Sequence, residues 1–126
     1  MKISANSTNI IFIVDDDDEL RESLIAVLET RGYSVCGFDN AEQAISGISG
    51  SMGVPMIMMV DGALPGMEGH EAIARVVAAY PQIQIVAISG ETHRSENMLK
   101  AGAQVFLDKP VNVPDLLEVI ANMAKA

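Results

Sequence analysis

The sequence has little cysteine and little positive charge, and each shortage argues against a class of protein. Its single cysteine, Cys36, cannot form a disulfide within the chain and lies in an apolar, β-branched stretch typical of a core thiol. Only 8 residues are lysine or arginine against 17 acidic residues, which gives a formal net charge of −9. Because an acidic surface repels phosphodiester backbones and anionic lipid headgroups, we expect no direct nucleic-acid binding and no membrane binding.

Long apolar runs are also missing. No run approaches the roughly 20 residues that a membrane-spanning helix needs. The N-terminus contains Lys2, but its short apolar stretch ends in aspartates, which is not typical of a signal peptide. We therefore expect a cytoplasmic protein. With 126 residues, 49% of them hydrophobic, the chain is suited to one domain with one core, and we assign residues 1–9 to a flexible N-terminal tail and 10–126 to that domain.

Short apolar runs alternate with amphipathic segments along the chain. The runs are apolar at nearly every position, as strands covered on both faces should be, and they comprise residues 10–14, 33–38, 55–60, 83–89 and 104–107. The segments between them predict helices. Asp17 and Asp18 open the first helix, where negative charge is favoured, and Asn112 and Pro114 suit the start of the last helix. A strand followed by a helix, repeated five times, predicts an α/β fold with a parallel sheet and helices on both faces.

Polar residues that handle phosphate or divalent cations stand at the ends of four of these runs. Asp15 and Asp16 follow the first run, Asp61 follows the third, Ser89 ends the fourth and Lys109 comes after the fifth. In open parallel sheets, functional groups collect at the carboxyl ends of the strands. The sequence therefore predicts one functional edge that contains these side chains.

Four stretches in this order resemble response-regulator receiver domains. VDDDDELRESL is similar to the acidic start of these domains, DGALPGMEGHE to their phosphoacceptor loop, AISG to their hydroxyl-bearing fourth strand and AGAQVFLDKPV to their lysine segment. The resemblance covers the chain from about Ile10 to its end. It implies a flavodoxin-like, doubly wound (βα)5 sandwich of three layers with the strand order 2-1-3-4-5.

That strand order would bring the acidic residues together. Neighbouring strands lie about 4.8 Å apart, so Asp15 and Asp16 would lie beside Asp61, with Ser89 one strand further and Lys109 two strands further. Clustered carboxylates repel one another unless a cation joins them. Oxygen ligands at a half-open site favour Mg²⁺, and Mn²⁺ is the alternative.

The resemblance implies a role for each of these residues. Asp16, Asp61 and the backbone carbonyl of Ala63 would bind the metal directly, and Asp15 would bind it through water. Asp61 would be the phosphoacceptor, and its carboxylate would attack the phosphorus of a phosphohistidine on a sensor histidine kinase or a histidine phosphotransfer protein. Lys109 would contact a phosphoryl oxygen. On this interpretation the protein is not an enzyme for other substrates, because it catalyses only its own phosphorylation and dephosphorylation.

Phosphorylation would then cause a conformational change. The resemblance implies that the Ser89 hydroxyl binds a phosphoryl oxygen and that Phe106, at the switch-aromatic position, turns inward; the alternative is that Phe106 is an ordinary core residue. Pro110 is a candidate for a cis peptide bond. Such a change biases a two-state equilibrium and alters the face that binds an unknown downstream protein, or that pairs in a homodimer. The segment between Ser89 and Lys109 is shorter than the family pattern, and the shortening falls in residues 91–99.

Two other functions stay open at this point. A pseudo-receiver would keep the fold as a protein-interaction module without phosphotransfer. A phosphohydrolase with an aspartyl-phosphate intermediate would need its nucleophile on the first strand, and the residue pattern after Asp15 does not match that class. Since the chain ends about where the fifth helix should end, we expect it to act by contact, by relaying phosphate, or as a piece of a larger protein.

Overall fold

Strands and helices alternate along the whole described chain. The computed structural model describes residues 9–50 and 53–125. The elements are β1 (Ile10–Val14), α1 (Asp18–Glu29), β2 (Ser34–Phe38), α2 (Ala41–Ser49), β3 (Ile57–Asp61), α3 (Gly69–Ala79), β4 (Gln84–Ser89), a 3-10 helix (Thr92–Arg94), α4 (Ser95–Ala101), β5 (Val105–Asp108) and α5 (Val113–Ala124). Of the predicted N-terminal tail, only Asn9 is among the described residues. Its carbonyl accepts a hydrogen bond from the backbone N–H of Ser34, 3.0 Å away.

The strands form one parallel sheet with the order β2-β1-β3-β4-β5. This confirms the fold class and the strand order that the resemblance implied. The fully buried residues of β1 and β3 alternate between the two faces of the sheet. One core contains Phe12 and Met58 and packs against α2, α3 and α4, and the other contains Ile13 and Met59 and packs against α1 and α5. The sheet therefore lies between two layers of helices.

Side-chain caps fix where several helices begin. The side chain of Asp17 accepts a hydrogen bond from the N–H of Leu20 and caps α1, as Asn112 accepts one from Asp115 and caps α5. In α3, Glu68 forms a capping box with Glu71. These caps fix where the loops that follow β1, β3 and β5 end and the next helices begin.

Some strands and helices have bounds that differ from the predicted ones. β3 ends at Asp61 because its ladder with β4 continues, with Asp61 paired to Ile88. The segment between the fourth and fifth strands, which was predicted to be one helix, contains the 3-10 helix and a seven-residue α4. Among the described residues, no helix is both long enough and apolar enough to cross a bilayer.

Candidate functional site

Three carboxylates meet at the carboxyl edge of the sheet. Asp15, Asp16 and Asp61 each offer an oxygen, and these oxygens all lie within 4.8 Å of one another. Asp15 and Asp61 are buried, whereas Asp16 is exposed. Because β1 and β3 are neighbours in the sheet and Val14 pairs with Val60, the residues that follow them, Asp15 and Asp61, lie close together. The meeting of Asp61 with the neighbouring residues Asp15 and Asp16 is therefore a result of strand order.

Backbone groups hold two of these carboxylates in place. Asp15 Oδ1 accepts a hydrogen bond from the N–H of Asp17 at 2.9 Å, and Asp61 Oδ1 accepts one from the N–H of Ala63 at 3.3 Å. Asp15 Oδ2 is buried and has no hydrogen-bond partner among the described residues. Buried oxygens of this kind are rare unless a cation or water completes their contacts.

Lys109 supplies positive charge to the same cluster. Its Nζ lies 3.0 Å from Asp15 Oδ2, an ion pair without hydrogen-bond alignment, and donates a hydrogen bond to Asp61 Oδ2 at 3.3 Å. The backbone N–H of Lys109 donates to the carbonyl of Ser89 at 2.9 Å, and the peptide bond between Lys109 and Pro110 is cis. One ammonium group thus links the end of β5 to β1 and β3.

The electrostatics of the site follow from this arrangement. The pKa of Asp61 is raised from 3.8 to about 6, because burial and then the charge of Asp15 raise it more than Lys109 and the Ala63 N–H lower it. Partial burial lowers the pKa of Lys109, but its interactions with Asp15 and Asp61 outweigh this effect and raise it. At neutral pH the site therefore contains a charged lysine and a carboxylate that is mostly ionised.

The remaining predicted residues lie around this cluster. Ser89 is buried at the end of β4, and its Oγ accepts a hydrogen bond from the N–H of Glu91 at 3.0 Å. Ala63 is exposed in the loop after β3. Phe106 is half-buried on β5 and packs against the core that contains Phe12. Asp15, Asp16 and Asp61 thus lie close together and Lys109 contacts Asp15 and Asp61, whereas Phe106 contacts the core.

The donor set fits a small hard cation. It consists of carboxylate oxygens, one of which, the buried Asp15 Oδ2, is paired with Lys109 Nζ at 3.0 Å, and its exposed member Asp16 faces solvent. Asp15, Asp16 and Asp61 could hold Mg²⁺ with waters in the remaining positions. The oxygens offer no soft ligand that would favour zinc or copper.

Two arginines near the site were missed by the sequence reasoning. Arg21 Nη1 donates to the backbone carbonyl of Asp15 at 2.7 Å, and Arg21 Nη2 donates to Asp18 at 2.6 Å. Arg94 Nη1 donates to the backbone carbonyl of Gly62 at 3.3 Å. The helical spacing between Arg21 and Asp18 could have indicated the contact between these two residues. No sequence signal indicates the contact between Arg94 and Gly62, because these residues lie far apart in the chain.

Glycine is required where α3 begins beneath the site. A Cβ at Gly69 would collide with the backbone carbonyl of Asp61. The N–H of Gly69 also donates to the carbonyl of Gly62 at 3.2 Å. The loop after β3 is therefore folded tightly against the end of its own strand.

Comparisons with known proteins agree with this geometry. The family model of the response regulator receiver domain matches residues 11–121. A receiver domain protein (CheY-like) from Methanospirillum hungatei JF-1 is 31% identical, with a TM-score of 0.87 over 94% of this chain and 95% of that chain. A response regulator from Burkholderia pseudomallei, crystallised with a phosphorylated aspartic acid, a calcium ion and citrate, is 25% identical, with a TM-score of 0.80 over 92% of this chain and 68% of that chain.

Curated relatives differ in how much of their length this chain covers. An uncharacterised 14.6 kDa protein from Leptolyngbya boryana is 32% identical over 115 residues, which are 87% of this chain and 86% of the relative. By contrast, the chain spans about a quarter of the length of the first curated relatives that it matches. Receiver domains bind Mg²⁺ at an acidic pocket and interact with histidine kinases or phosphotransfer proteins. From the family match, the sheet order and the acidic edge, we conclude that this chain belongs to the response regulator receiver domain family of two-component signalling.

Proposed function

We propose that the chain is a phosphorylation-dependent signalling switch in which Asp61 accepts a phosphoryl group from a phosphohistidine. The observation that carries the proposal is that Asp15, Asp16 and Asp61 place carboxylate oxygens within 4.8 Å of one another and that Lys109 contacts two of these residues. The response regulator from Burkholderia pseudomallei supports it, because that relative was crystallised with a phosphorylated aspartic acid.

The reaction needs a nucleophile and a counter-charge at one place. An Asp61 carboxylate oxygen forms the new bond to phosphorus, and the bond between phosphorus and the imidazole nitrogen of the donor breaks. With a pKa of about 6, Asp61 is mostly ionised at neutral pH, as a nucleophile must be. Lys109 Nζ lies 3.3 Å from Asp61 Oδ2, close enough to contact a phosphoryl oxygen on that residue.

Mg²⁺ bound by Asp16, Asp61 and the Ala63 carbonyl, with Asp15 acting through water, would offset the negative charge of the phosphoryl oxygens. The chain's own residues position the reactants. Burial of Asp15 and Asp61 limits competing water, and the Ala63 N–H orients the Asp61 carboxylate. In the phosphorylated protein, the Ser89 hydroxyl binds a phosphoryl oxygen, and Phe106 turns toward the space that Ser89 leaves.

The test is phosphorylation by a small donor. We expect the intact mass to rise by one phosphoryl group when the protein is incubated with Mg²⁺ and acetyl phosphate. Peptide mapping should place the group on Asp61, and both Asp61→Asn and a chelator should abolish the adduct. Asp108→Asn, at an exposed carboxylate on the end of β5, is the matched control and should leave the adduct unchanged.

The outcomes separate this function from its alternatives. An unmodified parent protein would contradict the proposal and favour a pseudo-receiver, especially if Mg²⁺ binding were also absent. An adduct on Asp15 or Asp16, with turnover of phosphate esters, would favour a phosphohydrolase. Phosphotransfer from the histidine kinases and phosphotransfer proteins of the source organism would then identify the upstream partner. The same proposal includes an unknown downstream protein that binds the phosphorylated chain, or a homodimer that forms on phosphorylation.

A further inference from the structure

Arg94 joins the two loops beside the phosphoacceptor position. Its Nη1 donates to Glu68 Oε1 at 2.8 Å and to the backbone carbonyl of Gly62 at 3.3 Å, and its Nε donates to Glu91 Oε1 at 3.1 Å. Glu68 caps α3, and Gly62 directly follows Asp61. The hydrogen bond from Arg94, followed by its charge, lowers the pKa of Glu68. One guanidinium therefore holds the loops after β3 and β4 together.

Gly62 allows Arg94 to approach this closely. A Cβ at position 62 would lie 2.9 Å from Cδ of Arg94 and 3.0 Å from Sδ of Met98. Any side chain at this position would push the arginine away from the loop. The aliphatic part of Arg94 is thus packed over the backbone beside Asp61, and only 23% of its side chain is exposed.

The same network reaches the hydroxyl that the proposed function uses. Ser89 Oγ accepts a hydrogen bond from the N–H of Glu91, and the side chain of Glu91 is bound to Arg94. If the Ser89 hydroxyl turns to a phosphoryl oxygen, the Glu91 N–H loses its acceptor and the loop that carries Glu91 loses a contact with β4. The contact of Glu91 with Arg94 opposes any movement of the loop that follows.

We propose that Arg94 is a latch that holds the domain in its unphosphorylated arrangement by tying Glu91 to Glu68 and to the Gly62 carbonyl. The inference rests on the proposed function, because it takes Asp61 as the phosphoacceptor and Ser89 as the responding hydroxyl. A cavity of about 260 Å³ adjoins the arginine and is also lined by His70, His93 and Asn97. The cavity gives the guanidinium space to move when the latch opens.

Removal of the latch should favour phosphorylation. A ligand or modification that favours one of two states acts more readily when the competing state is destabilised. We expect Arg94→Ala to raise the initial rate of Asp61 phosphorylation by acetyl phosphate about threefold to tenfold, as fits the loss of a partly exposed ion-pair network. Arg94→Lys keeps the charge but not the planar fork, so it should give a smaller increase. Glu68→Gln should also raise the rate.

The matched control is Lys100→Ala. It removes an exposed cation of α4 whose Nζ lies 3.6 Å from Glu96, away from the loops. We expect this variant to react at the parent rate. Hydrogen exchange provides a readout without phosphorylation, because the Glu91 amide should exchange faster in Arg94→Ala than in the unphosphorylated parent or in Lys100→Ala.

The possible failures are distinguishable. If the parent itself acquires no phosphoryl group, the proposed function is wrong and the latch is wrong with it. If the parent is modified but Arg94→Ala reacts at the same rate or more slowly, the latch alone is overturned. Unchanged exchange at Glu91 would also overturn it. Should Arg94→Ala not fold, Arg94→Lys and Glu68→Gln decide the question by the same criteria.

Discussion

Replacement of Asp61 by asparagine should stabilise the protein at neutral pH when no divalent cation is present. Folding raises the pKa of this carboxyl from 3.8 to about 6, because burial and the charge of Asp15 disfavour the ionised form. The folded state therefore binds the proton more tightly than the unfolded state. The free energy of unfolding falls as the pH rises from 3.8 through 6, and asparagine removes this loss.

The size of this stabilisation follows from the difference between the two pKa values of Asp61. At about 1.4 kcal/mol per pH unit, the interval between 3.8 and about 6 corresponds to about 3 kcal/mol above pH 7. Solvent screens the charge of Asp61 little, because its side chain is only 5% exposed. For a domain of this size, such a change raises the midpoint of thermal unfolding by on the order of 10 °C.

The measurement is urea denaturation of parent and Asp61→Asn in a chelating buffer from pH 4 to pH 8. The two stability curves should converge near pH 4 and separate as the pH rises. Added Mg²⁺ should narrow the gap at pH 7.5, because it stabilises the parent by mass action. Asp108→Asn should follow the parent throughout. Equal stability of Asp61→Asn and the parent at pH 7.5 without divalent cations would refute the reasoning.

Two further substitutions test the supports of the site. Lys109→Met leaves the buried carboxylates of Asp15 and Asp61 without their cation, so unfolding in urea at pH 7.5 without metal should require on the order of 3 kcal/mol less free energy. The loss should shrink below pH 6, and an unchanged stability at pH 7.5 would contradict it. Gly69→Ala brings a Cβ into the backbone carbonyl of Asp61 and should cost about 2 kcal/mol by thermal unfolding, with a lower yield of the phosphorylated protein. Full stability and full phosphorylation of Gly69→Ala would show that the loop tolerates the side chain.

Much of the fold could be predicted because its signals are local. Apolar runs marked each strand, and Asn112 with Pro114 marked the start of α5. The bounds were less accurate where pairing decides them, as at Asp61, whose place in β3 depends on its partner Ile88 in β4. The division of the fourth helix into a 3-10 turn and α4 was not predicted from the residues.

The candidate site, like the fold, could be predicted only where its signals are local. The resemblance indicated which carboxylates and which lysine to consider, because their segments carry specific motifs. It could not indicate that Lys109 contacts Asp15 as well as Asp61, nor that Arg94 reaches the Gly62 carbonyl. Both contacts depend on side-chain paths between segments that are distant in sequence. Such contacts leave no periodic pattern for sequence reasoning to find.

The position of Lys109 between two buried acids has a consequence for how the domain depends on its surroundings. Its ammonium group already acts as an internal counter-ion, so the folded chain does not rely on an external one to tolerate Asp15 and Asp61 side by side. An incoming divalent ion would have to share these oxygens with an ammonium group that is tethered to the same chain. Under the proposed function, a bound divalent ion would therefore replace part of the contact between Lys109 and these carboxylates, and would not be needed to hold them together.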